Sequence, residues 1–134
     1  MSKRILLVSF DDGLLIKQHF LLEGQGYKVT PALRFKEAAV RCKKGTFDLF
    51  ILSRSIPHAT KEDLVEVFRA HHKAPILSLW EPGEQVLDAV NYLEFSNEPD
   101  DFVRDVATIL AATEQKNSSI EPDVLSRRSL RQRA

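Results

Sequence analysis

The side chains with the greatest potential for catalysis or metal binding are scattered through the chain. The four histidines are separated by long stretches except for one adjacent pair, at positions His19, His58, His71 and His72. Adjacent residues do not share a helix face, and we predict no zinc site at these histidines. The single Cys42 excludes an internal disulfide and a cysteine-rich metal site. We therefore expect surface roles for the histidines.

Two short motifs resemble functional signatures without completing them. Gly24-Gln25-Gly26 lacks the third glycine of a dinucleotide fingerprint and follows a helical pattern, so it indicates a helix end. Ser53-Arg54-Ser55 has the composition of a serine-kinase target, but it also fits an ordinary loop. Neither a glycine-rich phosphate loop nor a nucleophile elbow is present in the sequence. The sequence therefore predicts that the chain is not an enzyme.

Apolar patterning alternates between short buried strands and amphipathic helices. Continuous apolar runs are typical of strands buried on both faces of a parallel sheet, and they occur at Ile5–Val8, Asp48–Leu52 and Pro75–Leu79. Tyr27–Thr30, before Pro31, and Val90–Leu93 have the pattern of shorter strands. Helical spacing predicts helices that begin at Asp12, at Phe35, at a Thr60–Asp63 capping box and at Pro99.

Single helices between successive strands predict right-handed crossovers. The expected fold is an α/β, flavodoxin-like, doubly wound sheet of five parallel strands in the order 2-1-3-4-5, with a crevice at the carboxyl ends of the strands. Only Trp80–Ala89 separates the fourth and fifth strands, so we expect the fourth helix to be shortened or lost. Residues 1–113 are predicted to form this domain, and residues 114–134 a flexible, basic C-terminal tail.

In order and spacing, these elements resemble the receiver domain of two-component response regulators, the CheY-like family. The resemblance covers about residues 3–113 and is carried by Lys3–Val8, Gly26–Val29, Phe47–Leu52, Pro57, Pro75–Leu77, Asn91–Leu93 and Pro99–Phe102. Each segment alone is generic, and the specificity comes from their order. The resemblance implies a receiver fold and a role in phosphorelay signalling.

The same resemblance implies that the phosphorylation site is degenerate. Active receivers use an Asp after the third strand as nucleophile, an acidic pair after the first strand for Mg²⁺, a hydroxyl after the fourth and a Lys after the fifth. Matched to this sequence, the nucleophile position is Ser53 and the acidic-pair positions are Ser9 and Phe10. The hydroxyl position is Trp80 and the lysine position is Phe95. The chain is therefore expected to be a pseudo-receiver without aspartyl phosphorylation, metal or cofactor.

An alternative register leaves a weaker cation site open. A shift of two residues in the first loop would make Asp11 and Asp12 the acidic pair. Counting from Val8 to Gly26-Tyr27 favours the unshifted register, and the shift restores neither the nucleophile nor the lysine.

The expected function is a phosphorylation-independent interaction with another protein. A histidine kinase, another receiver or an output protein is the expected partner, and a homodimer is left open. Three aromatic residues near the crevice, Trp80, Tyr92 and Phe95, are the candidate partner-binding residues.

Charge and hydropathy restrict the location and the other partners. The formal net charge is zero, and the sequence has neither a secretory signal nor a membrane-spanning apolar run, so a cytoplasmic location without membrane contact is expected. The last ten residues hold four arginines and no acid, which makes nucleic-acid binding through this end the remaining alternative. Solvation of the arginines is favoured, because no aromatic residue is interleaved with them.

Overall fold

A computed structural model describes residues 2–79, 92–94, 98–115 and 130–132. Strands and helices alternate through most of this part of the chain. In chain order they are β1 (Arg4–Ser9), α1 (Asp12–Glu23), β2 (Lys28–Leu33), α2 (Arg34–Lys44), β3 (Leu49–Leu52), α3 (His58–His71), β4 (Ile76–Leu79), β5 (Tyr92–Glu94), α4 (Pro99–Gln115) and β6 (Leu130–Gln132).

The strands form one sheet in the order β2-β1-β3-β4-β5-β6. The pairs from β2 to β5 are parallel, which confirms the predicted order of the first five strands. β6 adds an antiparallel edge strand next to β5. Within the predicted flexible tail of residues 114–134, the structure describes the end of α4 at Gln115 and the strand Leu130–Gln132, which belongs to the sheet; for the other residues the tail stays a prediction. Backbone pairing with an exposed strand edge, which apolar periodicity does not reveal, accounts for this difference.

β1 shows why a continuous apolar run forms a central strand. Ile5 and Leu7 face the layer of α1 and α4, whereas Leu6 and Val8 face the layer of α2 and α3, and all four are fully buried. Successive side chains of a strand point to opposite faces, so both faces must be apolar when helices cover both. Burial of each such side chain contributes about 1.5–3 kcal/mol, which fixes the sheet between its two helical layers.

The layer of α2 and α3 is packed around aromatic rings. Phe50 of β3 stacks on Phe68 of α3 with ring centroids 4.3 Å apart and planes 10° from parallel. Phe47 and His72 contact the edges of this stack. Cys42 of α2 is fully buried on the same side, and burial raises the pKa of its thiol, an effect that neighbouring Lys43 partly opposes.

Two boundaries differ from the sequence prediction. β2 continues through Pro31, because β2 lies at the sheet edge and an edge strand tolerates a residue without an N–H. α3 begins at His58 after Pro57, and no side chain caps it, so the predicted Thr60–Asp63 capping box is wrong. The fixed φ of Pro57 prepares the chain for the helix two residues earlier.

The predicted shortening of the fourth helix concerns residues between β4 and β5 that lie outside the described residues. None of the described helices combines the length and the apolar character needed to cross a membrane.

Candidate functional site

The carboxyl ends of β1 and β3 lie side by side and carry two of the serines identified from the sequence. Ser9 is the last residue of β1, and Ser53 follows the last residue of β3. The two strands pair in parallel, and the Ser53 N–H donates to the Val8 carbonyl at 2.9 Å. Both serines are fully buried. β1 and β3 therefore place the Ser9 and Ser53 hydroxyls next to each other below the protein surface.

A third hydroxyl completes the group. Ser55 Oγ lies 2.9 Å from Ser53 Oγ and 3.1 Å from Ser9 Oγ. The Ser9 and Ser53 hydroxyls are 3.4 Å apart. We call Ser9, Ser53 and Ser55 the serine cluster. Sequence reasoning assigned Ser9 and Ser53 to this edge but considered Ser55 only as a modification site; its position two residues after Ser53 was the available signal.

Backbone groups use the remaining hydrogen-bonding capacity of the serine cluster. The Phe10 N–H donates to Ser55 Oγ at 2.9 Å, and the Asp11 N–H donates to Ser9 Oγ at 3.1 Å. The Ser55 N–H donates to Ser53 Oγ at 3.1 Å, while Ser9 Oγ donates to the Asp11 carbonyl at 3.0 Å. Each hydroxyl thus accepts from a backbone N–H and contacts another hydroxyl. The arrangement is neutral and satisfied within the protein, as buried polar groups require.

Phe10 fills the position next to the serine cluster with an aromatic ring. The half-buried ring packs against the core layer of α2 and α3. The guanidinium carbon of Arg34 lies 5.8 Å from the ring centroid, at cation–π distance. A ring offers no oxygen to a hard cation, and a guanidinium already brings positive charge to this side of the loop. The surroundings of Phe10 therefore disfavour a divalent cation.

Asp11 and Asp12, the alternative acidic pair, have structural positions at the start of α1. Asp11 Oδ1 accepts the Leu14 N–H at 3.0 Å, so Asp11 is the helix N-cap. Asp12 is the first helical residue and is exposed, where its charge complements the helix dipole. Over the described ranges, no group of three or more His, Cys, Asp or Glu residues is arranged to hold a metal ion.

A cleft of about 640 Å³ opens beside the serine cluster, between α1 and the start of α4. Asp11 and Ser55 lie on its wall near the cluster, and Lys17, Arg54 and Phe102 line its other sides. Ser55 is thus the member of the cluster that borders the accessible space. Any small phosphodonor that approached from this cleft would meet Ser55 before the buried Ser9 and Ser53.

Sequence reasoning missed Lys61, which is fully buried. It lies in the first turn of α3, and its Nζ donates at 2.9 Å to the carbonyl of Leu79, the last residue of β4. The signal was present in the sequence, because Leu64, Val65 and Phe68 follow Lys61 at the spacing of one helix face. The Lys61 side chain thereby connects α3 to the carboxyl end of β4.

Two of the predicted crevice residues, Trp80 and Phe95, lie outside the described residues. Tyr92 begins β5, where its backbone is paired with Leu77 of β4 and Gln132 of β6. The role of these three aromatic residues stays a prediction.

Three of the four histidines, His19, His58 and His72, make separate local contacts. His19 and His58 lie 3.5 Å and 3.9 Å from the glutamate one turn further along their own helices. His72 Nε2 lies 2.8 Å from the Cys42 carbonyl, which joins the end of α3 to α2.

No family model matches the chain. Over 103 residues the chain is 31% identical to the regulatory protein VanRB of Enterococcus faecalis, an alignment that covers 77% of this chain and 46% of VanRB. The chain therefore spans about half the length of this curated relative.

Solved receiver domains share the fold. The receiver domain protein of Methanospirillum hungatei is 19% identical with a TM-score of 0.70, over 87% of this chain and 99% of that one. A two-component response regulator of Clostridium difficile is 19% identical with a TM-score of 0.72, over 82% and 97%. The receiver domain of a Pseudomonas aeruginosa sensor histidine kinase, solved with magnesium in its active-site cleft, is 18% identical with a TM-score of 0.70, over 83% and 99%. This chain has the receiver-domain fold of response regulators.

Proposed function

We propose that this chain is a phosphorylation-independent protein-interaction module of two-component signalling, in which Ser53 stands where an active receiver has its phosphoacceptor carboxylate. The observation that carries the proposal is the serine cluster. Its three hydroxyls are joined to one another and to backbone N–H groups at the carboxyl ends of β1 and β3.

The chemistry of phosphoryl acceptance supports this proposal. Attack on a phosphohistidine needs an anionic nucleophile, and a serine hydroxyl becomes one only when a neighbouring base takes its proton. The hydrogen-bonding neighbours of Ser53 Oγ are the hydroxyls of Ser9 and Ser55 and one backbone N–H. Hydroxyls and amides do not act as bases near neutral pH. Ser53 is therefore expected to stay protonated and unreactive.

Cation binding is disfavoured at the same edge. Mg²⁺ binds through charged oxygens and neutralises the transferring phosphoryl group. The acceptor lone pairs of the serine cluster already receive the N–H groups of Phe10, Asp11 and Ser55. A cation would compete with these hydrogen bonds for neutral ligands, and one oxygen of the nearby Asp11 carboxylate already accepts the Leu14 N–H.

The proposed partners are proteins of a two-component pathway: a histidine kinase, another receiver or an output protein. Trp80, Tyr92 and Phe95 are proposed to contact the partner, a homodimer remains open, and the chain is proposed to act in the cytoplasm without catalysing a reaction. Capture of pathway proteins by the intact chain, compared with the Trp80→Ala and Tyr92→Ala variants, tests this part. Equal capture by the intact chain and both variants would remove Trp80 and Tyr92 from the proposal.

The central part of the proposal is tested with a small phosphodonor. The chain is incubated with acetyl phosphate and Mg²⁺, beside an active receiver as positive control, and the intact mass of both is measured without acid. We expect a phosphoryl adduct on the active receiver and none on this chain. An adduct on any aspartate or serine of this chain that requires Mg²⁺ would overturn the proposal.

A further inference from the structure

α2 is rich in basic residues, and one of them stands where a positive charge does not stabilise a helix. Five of its eleven residues are basic and one is acidic. Arg41 and Lys44 lie in the last turn, where the helix dipole favours cations. Lys36 lies in the first turn, where the dipole opposes a cation, and it is exposed. Helix stability therefore does not explain the position of Lys36.

Backbone strain at the start of α2 points to the same surface. Arg34 has φ 71°, which makes it the one described non-glycine residue in the left-handed region. Such a conformation is disfavoured for side chains with a Cβ, and strained residues concentrate at functional sites. The Arg34 side chain lies over the Phe10 ring, and Arg34 also lines a groove on the outer face of α2.

An apolar residue is exposed in the middle of the charged face. Val40 is 43% exposed and lies four residues after Lys36 and four before Lys44. Residues four apart form a ridge on a helix surface, so the two cations flank Val40 over about 12 Å of helix. Lys36, Val40 and Lys44, together with Leu33 and Arg41, line an open groove of about 540 Å³. We call this surface the α2 ridge.

The cations of the α2 ridge are available to a partner. Among the ion pairs of the described residues, none includes Lys36, Arg41 or Lys44. Glu37 is the acid of the helix, and its Oε1 accepts the Leu33 N–H at 2.7 Å. Glu37 also lines the groove, with one of its carboxylate oxygens held by the helix start, so it is one acid against the three cations Lys36, Arg41 and Lys44.

From this geometry we infer that the α2 ridge binds an acidic segment of a partner protein that carries an apolar side chain between two carboxylates. Lys36 and Lys44 pair with the carboxylates, and Val40 packs against the apolar side chain. Val40 favours a protein segment over nucleic acid, because an aliphatic side chain gains nothing from a phosphate backbone. This binding is independent of the serine cluster and of whether the chain accepts a phosphoryl group.

The test measures binding of a defined probe by fluorescence anisotropy. The probe is a fluorescein-labelled synthetic helix with Glu, Leu and Glu at i, i+4 and i+8 on one ridge. We expect saturable binding to the intact chain with a dissociation constant on the order of 10–100 μM, weakened by salt. Replacement of the probe's Leu by Ser should weaken binding about fivefold or more.

Variants locate the binding surface. Lys36→Glu with Lys44→Glu should weaken probe binding at least about tenfold. Val40→Ser should weaken binding of the Leu probe and leave the Ser probe unchanged. The matched control is Lys17→Glu with Lys73→Glu, which makes the same charge change at two exposed residues elsewhere and should keep affinity within about twofold. Circular dichroism and thermal unfolding of all variants confirm that each one is folded.

Four results would overturn the inference. These are no saturable binding of the probe, equal binding of the Leu and Ser probes, equal loss in the control variant, and tighter binding of a duplex oligonucleotide that Val40→Ser does not affect. The last result would assign the ridge to nucleic acid. None of these outcomes changes the acetyl phosphate experiment, so the inference and the proposed function can fail separately.

Discussion

The serine cluster and the α2 ridge place their polar groups in opposite ways. In the cluster, two buried hydroxyls and the part-buried hydroxyl of Ser55 contact one another and accept backbone N–H groups, and none of the three carries a charge. On the ridge, Lys36 and Lys44 are exposed, flank an exposed valine, and are joined to no carboxylate in the described part of the chain. The difference supports the two proposals, that a partner binds the α2 ridge and that the edge with the serine cluster accepts no phosphoryl group.

The largest effect is expected from returning a carboxylate to the serine cluster. Ser53→Asp places a buried charge among neutral groups, and we expect a loss of roughly 2–4 kcal/mol in the free energy of unfolding at neutral pH. Burial raises the pKa of the new carboxyl, so the folded state binds more protons than the unfolded state and the loss should shrink as pH falls. Urea unfolding at several pH values measures both effects.

The same variant tests whether the edge is ready for a cation. Because Ser9 and Phe10 supply no charged oxygen, Mg²⁺ at millimolar concentration should restore little of the lost stability. Ser53→Asn is the uncharged control, and its free energy of unfolding should fall less than that of Ser53→Asp. If Mg²⁺ alone restored the unfolding free energy of the Ser53→Asp variant, other carboxylates would have to complete a cation site there. The serine cluster would then not be closed to cations.

The second largest effect is expected at Ser55. Ser55→Ala leaves the Phe10 N–H without its acceptor and removes a contact from both other hydroxyls. The expected loss of unfolding free energy is about 1–2 kcal/mol. Thr46→Ala, at an exposed loop hydroxyl, should change stability by less than about 0.5 kcal/mol. Similar losses in both variants would show that the cluster contributes nothing beyond an ordinary surface hydroxyl.

A third effect concerns the strained start of α2. Arg34→Gly and Arg34→Ala both remove the cation over Phe10, but only glycine accepts φ 71° without strain. The glycine variant should therefore be more stable than the alanine variant by about 1–1.5 kcal/mol in thermal or urea unfolding. Equal stability of the two variants would mean that the backbone at Arg34 is not strained. Backbone strain would then no longer support a functional role of the α2 ridge.

The smallest effects are expected at Asp11 and Asp12, where they distinguish a role in stabilising the start of α1 from a role in binding Mg²⁺. Asp11→Ala removes the acceptor of the Leu14 N–H and should cost about 1 kcal/mol, whereas Asp12→Ala removes a dipole contact only and should cost about 0.5 kcal/mol. Both differences should be the same with and without Mg²⁺. A Mg²⁺-dependent stability that either substitution abolishes would support the shifted register.

The fold was predictable because continuous runs of apolar residues mark its buried strands. The Ile5–Val8 run predicted a strand buried on both faces, and the order of the first five strands followed from the flavodoxin-like arrangement of alternating strands and helices. β6 was not predictable, because its three residues join the sheet through backbone pairing with β5. The start of α3 was misplaced because Pro57 begins the helix without a side-chain cap.

The site was predictable only in part, for a physical reason. Ser9 and Ser53 each follow a buried strand, so parallel pairing of β1 and β3 brings them together. Ser55 and Lys61 reach their positions through loop and helix geometry. Lys61 lies buried on the apolar face of α3, although a charged residue type predicts exposure to water, and its Nζ donates to the Leu79 carbonyl.

The central prediction is that the serine cluster binds neither a phosphoryl group nor the Mg²⁺ that accompanies phosphoryl transfer. Backbone amide NMR shifts of Phe10, Asp11 and Ser55 report this directly, because these three N–H groups donate to the cluster. We predict that Mg²⁺ with beryllofluoride, a phosphoryl analogue, leaves the three shifts unchanged. Saturable shift changes at these amides, stronger with both additives than with Mg²⁺ alone, would contradict the account.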